Sequence, residues 1–466
     1  MSTNSPVLSR RRFLHLSALG VTGAALAACA PATMPAAAPS GEAAPAAAII
    51  ELSYLTPDRE LENRVKEVHV TGFNRMMEEQ GKPFRITNLV GPATDNDIKT
   101  KLTLDAAAGT LPDISRVNTE MVADFAAADY ILDLSPYLTA WDGWAQYPDV
   151  LKRLAVFEGK LVSTPSANTF TFFRRKDVMD AAGIGGAQPK TWDDFYAACD
   201  EIASKTDAIP CGLPAATPWG GGTWKEGFQM VWLGFDGVIY DETDDKWVVS
   251  SPGLLKAFQV YETLAGNGWL TVDELLSPNP WEPIKYQGFP QGNVMLVTGG
   301  DWQWTFDWGP NGATPIEGLY EKVDRWEWPE ENGNPFTFVS GGAGPVVATT
   351  TKSAEGAAAF IMYMQEPDSI CNTIPVHIGG PSGRLDLAEK CSLYAEAVNG
   401  KMAEATELFQ TGRAYNFNRV GGNKIAEGVG RATEAIITGV SSAEAAMEDF
   451  AQSMIEALGE EAAKRA

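Results

Sequence analysis

The sequence predicts an α/β protein of two domains, each built on a mostly parallel sheet flanked by helices. Three observations carry this. The chain has 466 residues, more than one compact core holds, so two domains of about 200 residues are expected. Beyond residue 48, stretches with strand alternation and stretches with helical periodicity take turns, the order that builds parallel sheets covered by helices. No segment repeats at a fixed period, which excludes solenoids and propellers.

The elements follow from local pattern. Leu52 and Tyr54 alternate with polar residues in a strand from Ile49. A helix follows, with Leu61, Val65, Val68, Phe73 and Met76 as its apolar stripe and Gly81 beyond its end. Phe84, Ile86 and Val90 mark a second strand. Ile98, Leu102 and Ala106 mark a second helix closed by Gly109, and Ile114 and Val117 a third strand. A second α/β unit starts near residue 165, with Phe170 to Phe173 as a strand and Gly183 ending a short helix. Thr191 then opens a helix as a capping box with Asp194, burying Phe195, Cys199 and Ile202. Val238 to Val249 reads as a hairpin around Glu242-Thr243-Asp244-Asp245, and Leu254, Phe258, Tyr261 and Leu264 as a helix. The last helices carry Ile425, Val429, Ala432 and Ile436, then Met447, Phe450 and Met454, the latter behind a capping box at Ser441-Ser442-Ala443-Glu444.

The first residues read as a processing signal. Ser9-Arg10-Arg11-Arg12-Phe13-Leu14 has the consecutive arginines of a twin-arginine-like export signal. The apolar stretch from Leu14 to Ala28 is shorter than the roughly 20 residues that span a bilayer. It ends in Leu26-Ala27-Ala28-Cys29, which resembles a bacterial lipobox, with Cys29 as the lipid attachment residue. Residues 1–28 are thus expected to be an export signal. Residues 29–48, dense in Ala and Pro, are expected to be an anchor and extended tether.

Composition narrows the partners. A formal net charge of −24 argues against nucleic acid. Apart from Cys29, the cysteines are Cys199, Cys211, Cys371 and Cys391. An even number in an exported chain fits two disulfides, and Cys199–Cys211 with Cys371–Cys391 is the leading one of three connectivities. There is no Cys-x-x-Cys, and His15, His69 and His377 are scattered, so neither a metal site nor any other cofactor is expected. A Gly-x-Ser-x-Gly elbow, a Walker loop and a His-Glu-x-x-His pair are absent, and no catalytic residue is assigned. A glycosidase carboxylate pair has no spacing rule, so a secreted carbohydrate-active hydrolase remains the competing reading.

Several motifs weigh against that alternative. Gly109-Thr110-Leu111-Pro112-Asp113-Ile114 is followed by Tyr130-Ile131-Leu132-Asp133-Leu134 and by Glu158-Gly159-Lys160-Leu161-Val162-Ser163-Thr164-Pro165. Lys176-Asp177, Gly183-Ile184 and Pro189-Lys190-Thr191-Trp192-Asp193-Asp194-Phe195 come next. Phe289-Pro290-Gln291-Gly292-Asn293-Val294-Met295, Gly300-Asp301-Trp302 and Thr351-Lys352-Ser353 complete the series. In this order they resemble the extracellular solute-binding proteins of family 1, the maltose-binding protein type. Two stretches depart from the family pattern: Arg174-Arg175 stands before Lys176-Asp177, and Pro381-Ser382-Gly383-Arg384 matches only loosely.

The resemblance implies a two-lobed periplasmic-binding-protein fold of type II, with the ligand in the interlobe cleft. Lobe 1 would take 49–163 plus 341–412, and lobe 2 would take 164–340 plus 413–466. It implies no enzyme, but a monomer on the outer face of the cytoplasmic membrane that closes on a solute and delivers it to the permease subunits of an ABC importer. A carbohydrate is the expected solute, given the aromatic residues between Trp219 and Trp308. A polyamine, polyol phosphate or peptide is the alternative. In α/β lobes, cleft residues stand just past strand C-termini. That places Asp58 after strand one, Asn118 and Glu120 after strand three, and Asn168 beside the first crossover. Trp219 and Trp224 flank a Gly-rich loop, Asp301, Trp302 and Trp304 follow a strand, and Arg384 and Asn418 are later candidates. Asp58 also stands where it could cap the next helix, and Trp232 and Trp269 fall in core patterns.

The lipobox generates a first prediction. Cys29→Ser should move the protein from the membrane fraction to the soluble exported fraction with solute binding intact; unchanged membrane association would reject the lipobox.

Overall fold

The computed structural model describes residues 48–117, 119–341, 344–417 and 419–466, with Asp95, Asn96, Thr119 and Glu120 described in backbone only. Cys29, Asn118 and Asn418 therefore lie outside the described residues, as does the Glu120 side chain.

The first sheet starts with β1 (Ile50–Thr56), β2 (Phe84–Val90) and β3 (Ile114–Val117), in which β1 runs parallel to both neighbours. The links are α1 (Glu60–Glu79), α2 (Asp95–Ala108) and, past β3, α3 (Thr119–Ala127). Thr94 caps α2 by accepting from the Asp97 N–H, and Gly109 ends it in the left-handed region at φ 69°, where glycine carries no side-chain penalty. The buried stripe of α1 is Lys66, Val70, Phe73 and Met77, rotated from the expected one. Lys66 passes its stem through the interface and donates to the Leu89 carbonyl at 3.1 Å. That leaves Leu61 and Val68 beside an open groove of about 1010 Å³ along the helix.

A short hairpin, β4 (Val156–Phe157) with β5 (Lys160–Leu161), leads to β6 (Ala167–Arg175) in the second sheet. β7 (Ile209–Gly212) follows, then the hairpin β8 (Tyr240–Asp241) and β9 (Lys246–Ser250), whose turn is the expected 242–245. The Asp241 carboxylate holds that turn by accepting the Thr243 and Asp244 N–H groups. Next come β10 (Val294–Gly300), β11 (Val323–Trp326) and β12 (Phe338–Gly341); β13 (Gly344–Val347) returns to the first sheet, antiparallel to β3. β14 (Arg413–Ala414) closes the second sheet beside β12, and β15 (Ala463–Arg465) joins β9. The second sheet is mixed, in the order β14-β12-β6-β10-β7 with β11 also on β6. Its hub is β6, antiparallel to β10 along one edge and to β12 and then β11 along the other.

Each sheet has its own apolar clusters. Leu52, Phe73, Ile114 and Phe360 anchor one around the first sheet, and Phe172, Trp232, Phe258 and Leu296 belong to the larger one around the second. Thr191 and Asp194 form the expected capping box on the helix Trp192–Lys205. On the helix Ala443–Leu458 the cap is Ser442, one residue later than expected. The helix Gly422–Ile437 buries Ile425, Val429, Ala432 and Ile436 in the larger cluster and touches the first sheet's helices at its N-terminal end. There Asp124 of α3 accepts the Gly421 N–H at 3.1 Å, and Lys99 of α2 pairs with Glu427 at 3.1 Å. No helix among the described residues is long and apolar enough to cross a membrane.

Asp113 of the Pro-Asp-Ile motif ties the first sheet together. Its carboxylate accepts the Ser53 N–H and hydroxyl, the Thr351 hydroxyl and the Lys352 N–H. Burial alone would raise its pKa, but these donors hold it below the usual value. Cys371 and Cys391 form a disulfide. The expected Cys199–Cys211 bridge is corrected: both are free thiols, fully buried. Burial raises both thiols, Cys211 to about 12, so they act as small apolar side chains in the core.

Two measurements follow. Alkylation of unfolded, unreduced protein should label Cys199 and Cys211 and spare Cys371 and Cys391; label on either of the latter contradicts the bridge. Cys371→Ser opens a loop of 20-residue separation and should lower unfolding free energy by about 2–4 kcal/mol in denaturant melts.

Candidate functional site

The C-terminal end of β10 organises the candidate site. Strand pairing brings Gly300 opposite Phe170 of β6, and the chain then turns through Asp301–Trp304. Asp301 is completely buried. Its carboxylate accepts the Thr169 N–H at 2.6 Å and hydroxyl at 2.8 Å, with Arg325 at 3.3 Å. Burial pushes its pKa up to about 6, against the pull of Arg325 and Thr169. With Asp301 held inward, Trp302 is left half-buried, edge-on to Phe170 with ring centroids 5.4 Å apart. The glycines before it serve space, not turning: Gly300 has an ordinary φ of −98°. A Cβ on Gly300 would overlap the Trp302 ring, and one on Gly299 the Gln303 amide.

Two π-helical segments face this turn, Trp224–Phe228 and Glu282–Gly288, a local geometry frequent at functional sites. Both are fastened: the Thr298 hydroxyl donates to the Glu226 carbonyl, and the Trp308 indole N–H to the Lys285 carbonyl. The first carries Lys225 and Glu226, the second Lys285. The Lys285 ammonium donates to Glu226 at 2.5 Å and to Gln303 at 3.4 Å. It lies 5.3 Å from the Trp219 ring centroid and 6.0 Å from that of Trp302, so two indoles border one ion pair. The Lys225 ammonium is 5.7 Å from the Trp302 centroid. Behind them Asp307 is buried, and burial pushes its pKa up to about 7, opposed by Lys285, reinforced by Glu226 and moderated by a hydrogen bond with Tyr286. Arg59, from the loop after β1, is close enough to act on Tyr286.

Of the expected site residues, the structure brings Trp302 and Asn168, both half-buried, towards this end of the second sheet, with Trp219 beside Lys285 but buried in the larger apolar cluster. Asn168 is half-buried on β6 opposite Ser340, against the Gly379-Gly380 turn. Asp58 is exposed past β1 and accepts from Asn63 at 2.8 Å, while α1 takes no side-chain cap. Four assignments are corrected by burial. Asp301 faces Thr169 instead of a solute. Trp224 packs against Phe228, Trp232 and Phe417. Trp304 is fully buried beside Phe173 and Tyr320. Arg384 is spent on Asp386, Glu366 and the Gln365 carbonyl. Lys225, Glu226, Lys285 and Gln303 were not expected. The adjacency of Lys225-Glu226 to the Gly-rich loop pointed to the first pair and the run 301–304 after the strand to Gln303, and nothing local marked Lys285.

Two sheets with separate cores, joined by chain crossings and bearing an aromatic and charged cluster at a strand end, define a two-lobed binding-protein class. The chain belongs to the bacterial extracellular solute-binding proteins, a family it matches over residues 73–379. It is 31% identical over 215 residues to a probable sugar-binding periplasmic protein of Mesorhizobium japonicum, covering 44% of this chain and 47% of that one. It is 30% identical over 171 residues to the diacetylchitobiose binding protein DasA of Streptomyces coelicolor, covering 36% of this chain and 38% of that one. The matched stretches thus span less than half the length of either relative. In structure it is similar to the GacH receptor of Streptomyces glaucescens, solved unliganded and with acarbose. That likeness has a TM-score of 0.71 at 18% identity and covers 88% of this chain and 99% of that one. It establishes the two-lobed fold.

The buried Asp307 yields a signed prediction. A carboxyl whose folded pKa is raised contributes stability that is complete below its unfolded value and is lost as pH rises through the folded one. Asp307→Asn removes that loss. Its melting temperature relative to the parent protein should therefore climb between about pH 4 and 7 and level off above. A pH-independent difference contradicts the buried, protonated carboxyl.

Proposed function

We propose that this chain captures a sugar or oligosaccharide in the cleft between its lobes and hands it to the permease subunits of an ABC importer. The observation that carries this reading is the half-buried indole of Trp302 beside the Lys285–Glu226 ion pair at the end of β10, with the buried Trp219 ring backing that pair. A sugar offers an apolar C–H face and a rim of hydroxyls. Aromatic platforms with a few fixed polar groups match both. The sugar-binding name of the Mesorhizobium relative, the diacetylchitobiose of the Streptomyces one and the acarbose bound by the GacH receptor support the same class.

The lobes of this reading are 49–163 plus 341–412 and 164–340 plus 413–466. The sheet crossings at β6, β13 and β14 support the division, while Leu387, Cys391, Tyr394 and Met402 pack in the larger cluster around the second sheet. Trp302 and Asn168 would come from lobe 2 and Asp58 from lobe 1, with Asn118, Glu120 and Asn418 as further proposed contacts. Contacts to a solute from both sides favour the closed arrangement, so binding shifts a hinge equilibrium. The protein would act without catalysis, as a monomer held at the outer face of the cytoplasmic membrane through Cys29.

Calorimetric titration with maltose, acarbose and diacetylchitobiose tests the reading. Saturable binding of at least one is expected. Trp302→Ala should weaken it by about 1–3 kcal/mol, on the scale of one large side chain losing its partner surface. Its ligand-free stability should fall by less than the roughly 3–5 kcal/mol typical of a core Trp. A large stability loss with unchanged affinity rejects Trp302 as the platform.

A further inference from the structure

We propose that the sugar bound beside Trp302 is acidic: it carries a carboxylate, as in a uronic-acid-containing oligosaccharide, and Lys225 receives it. The inference rests on the sugar reading above and deepens it. Its basis is the charge balance around the two indoles. Lys285 and Glu226 satisfy each other at 2.5 Å. Asp301 is turned away into Thr169 and Arg325, and Asp307 is buried behind Lys285 and bonded to Tyr286. Arg59 is engaged with Glu62 at 3.1 Å and with the Ala93 carbonyl. That leaves Lys225, whose ammonium lies over the Trp302 ring and has no carboxylate partner among the described residues.

A solute stacking on Trp302 would cover this ammonium from water. Burying an unpaired ammonium is strongly unfavourable, and a carboxylate on the solute removes the penalty by forming a charge-assisted hydrogen bond. A neutral sugar offers only hydroxyl dipoles. A phosphate, with its higher charge, calls for more donors than one ammonium, such as a helix N-terminus or an Arg fork beside it. The segment holding Lys225 is a five-residue π-helical stretch and provides neither. The chain as a whole carries −24, so no long-range field draws anions in, and the preference must come from this local contact.

The test is calorimetric titration of the exported protein with pairs of disaccharides, each neutral sugar beside its uronic-acid counterpart of the same linkage, together with a phosphorylated sugar. A uronide should bind at least about tenfold tighter than its neutral counterpart, the worth of one charge-assisted bond. The ratio should fall to near one in Lys225→Met, which keeps the stem over Trp302, and persist in Lys225→Arg. Equal or tighter binding of the neutral sugars, with a ratio that Lys225→Met does not change, overturns the acidic preference and leaves the sugar reading standing. Preference for the phosphorylated sugar overturns the carboxylate. Binding of no sugar in the panel overturns both this inference and the reading beneath it.

Discussion

Everything proposed for the site depends on one buried contact, the clasp between Asp301 and Thr169. β10 pairs with β7 as far as Val297 and with β6 as far as Gly300, but past that point the backbone has no ladder to follow. The Asp301 carboxylate supplies the constraint by taking both donors of Thr169 from the neighbouring strand. Such a bond to an ionisable group in a fully enclosed position is strong once made and expensive to leave unmade. It fixes the direction in which the chain leaves the sheet, and therefore sends the next side chain, Trp302, to the opposite side. Arg325, reaching in from β11, neutralises the clasp and is itself paired with Glu404, so three strands and a helix share one polar centre.

The cluster in front of the clasp is assembled from segments distant in sequence. Lys225 and Glu226 lie on one π-helical stretch and Lys285 on another, and each stretch is fastened to β10 or the turn that follows it. The consequence is a preorganised face: the Trp302 indole and an internally neutralised ion pair backed by the buried Trp219 are set by the fold before any solute arrives, with the Lys225 ammonium beside them. Preorganisation limits the ordering cost of binding, and in a hinged two-lobed protein it leaves lobe closure as the main motion.

How far the sequence could foretell this depends on the range of the interaction. The Thr191–Asp194 capping box, the helix end at Gly109 and the hairpin turn at 242–245 rest on contacts within a few residues, and their residue types alone announced them. The order of family motifs pointed to the two-lobed fold, because each motif marks an element boundary. Asp301 was misread because the side to which a carboxylate turns after a strand depends on β6, whose Thr169 is 132 residues away. Lys285 and Trp219 meet across a similarly unmarked distance. Cys199 and Cys211 are close in sequence, yet the core keeps them as thiols on a helix and on a strand. Lys66 on α1 disturbed the helical stripe because a buried ammonium with a carbonyl partner looks, in sequence, like a surface residue.

The central claim is that solute binds at the end of β10 and not in the groove along α1. Hydrogen exchange of the exported protein, with and without the oligosaccharide that binds it tightest, tests this most directly. The account predicts protection concentrated in Gly220–Phe228 and Gly299–Trp304, with α1 unchanged along Arg64–Arg75. Protection confined to α1 and the facing Asn372–Val376 segment, with the Trp302 turn exchanging as before, would contradict it.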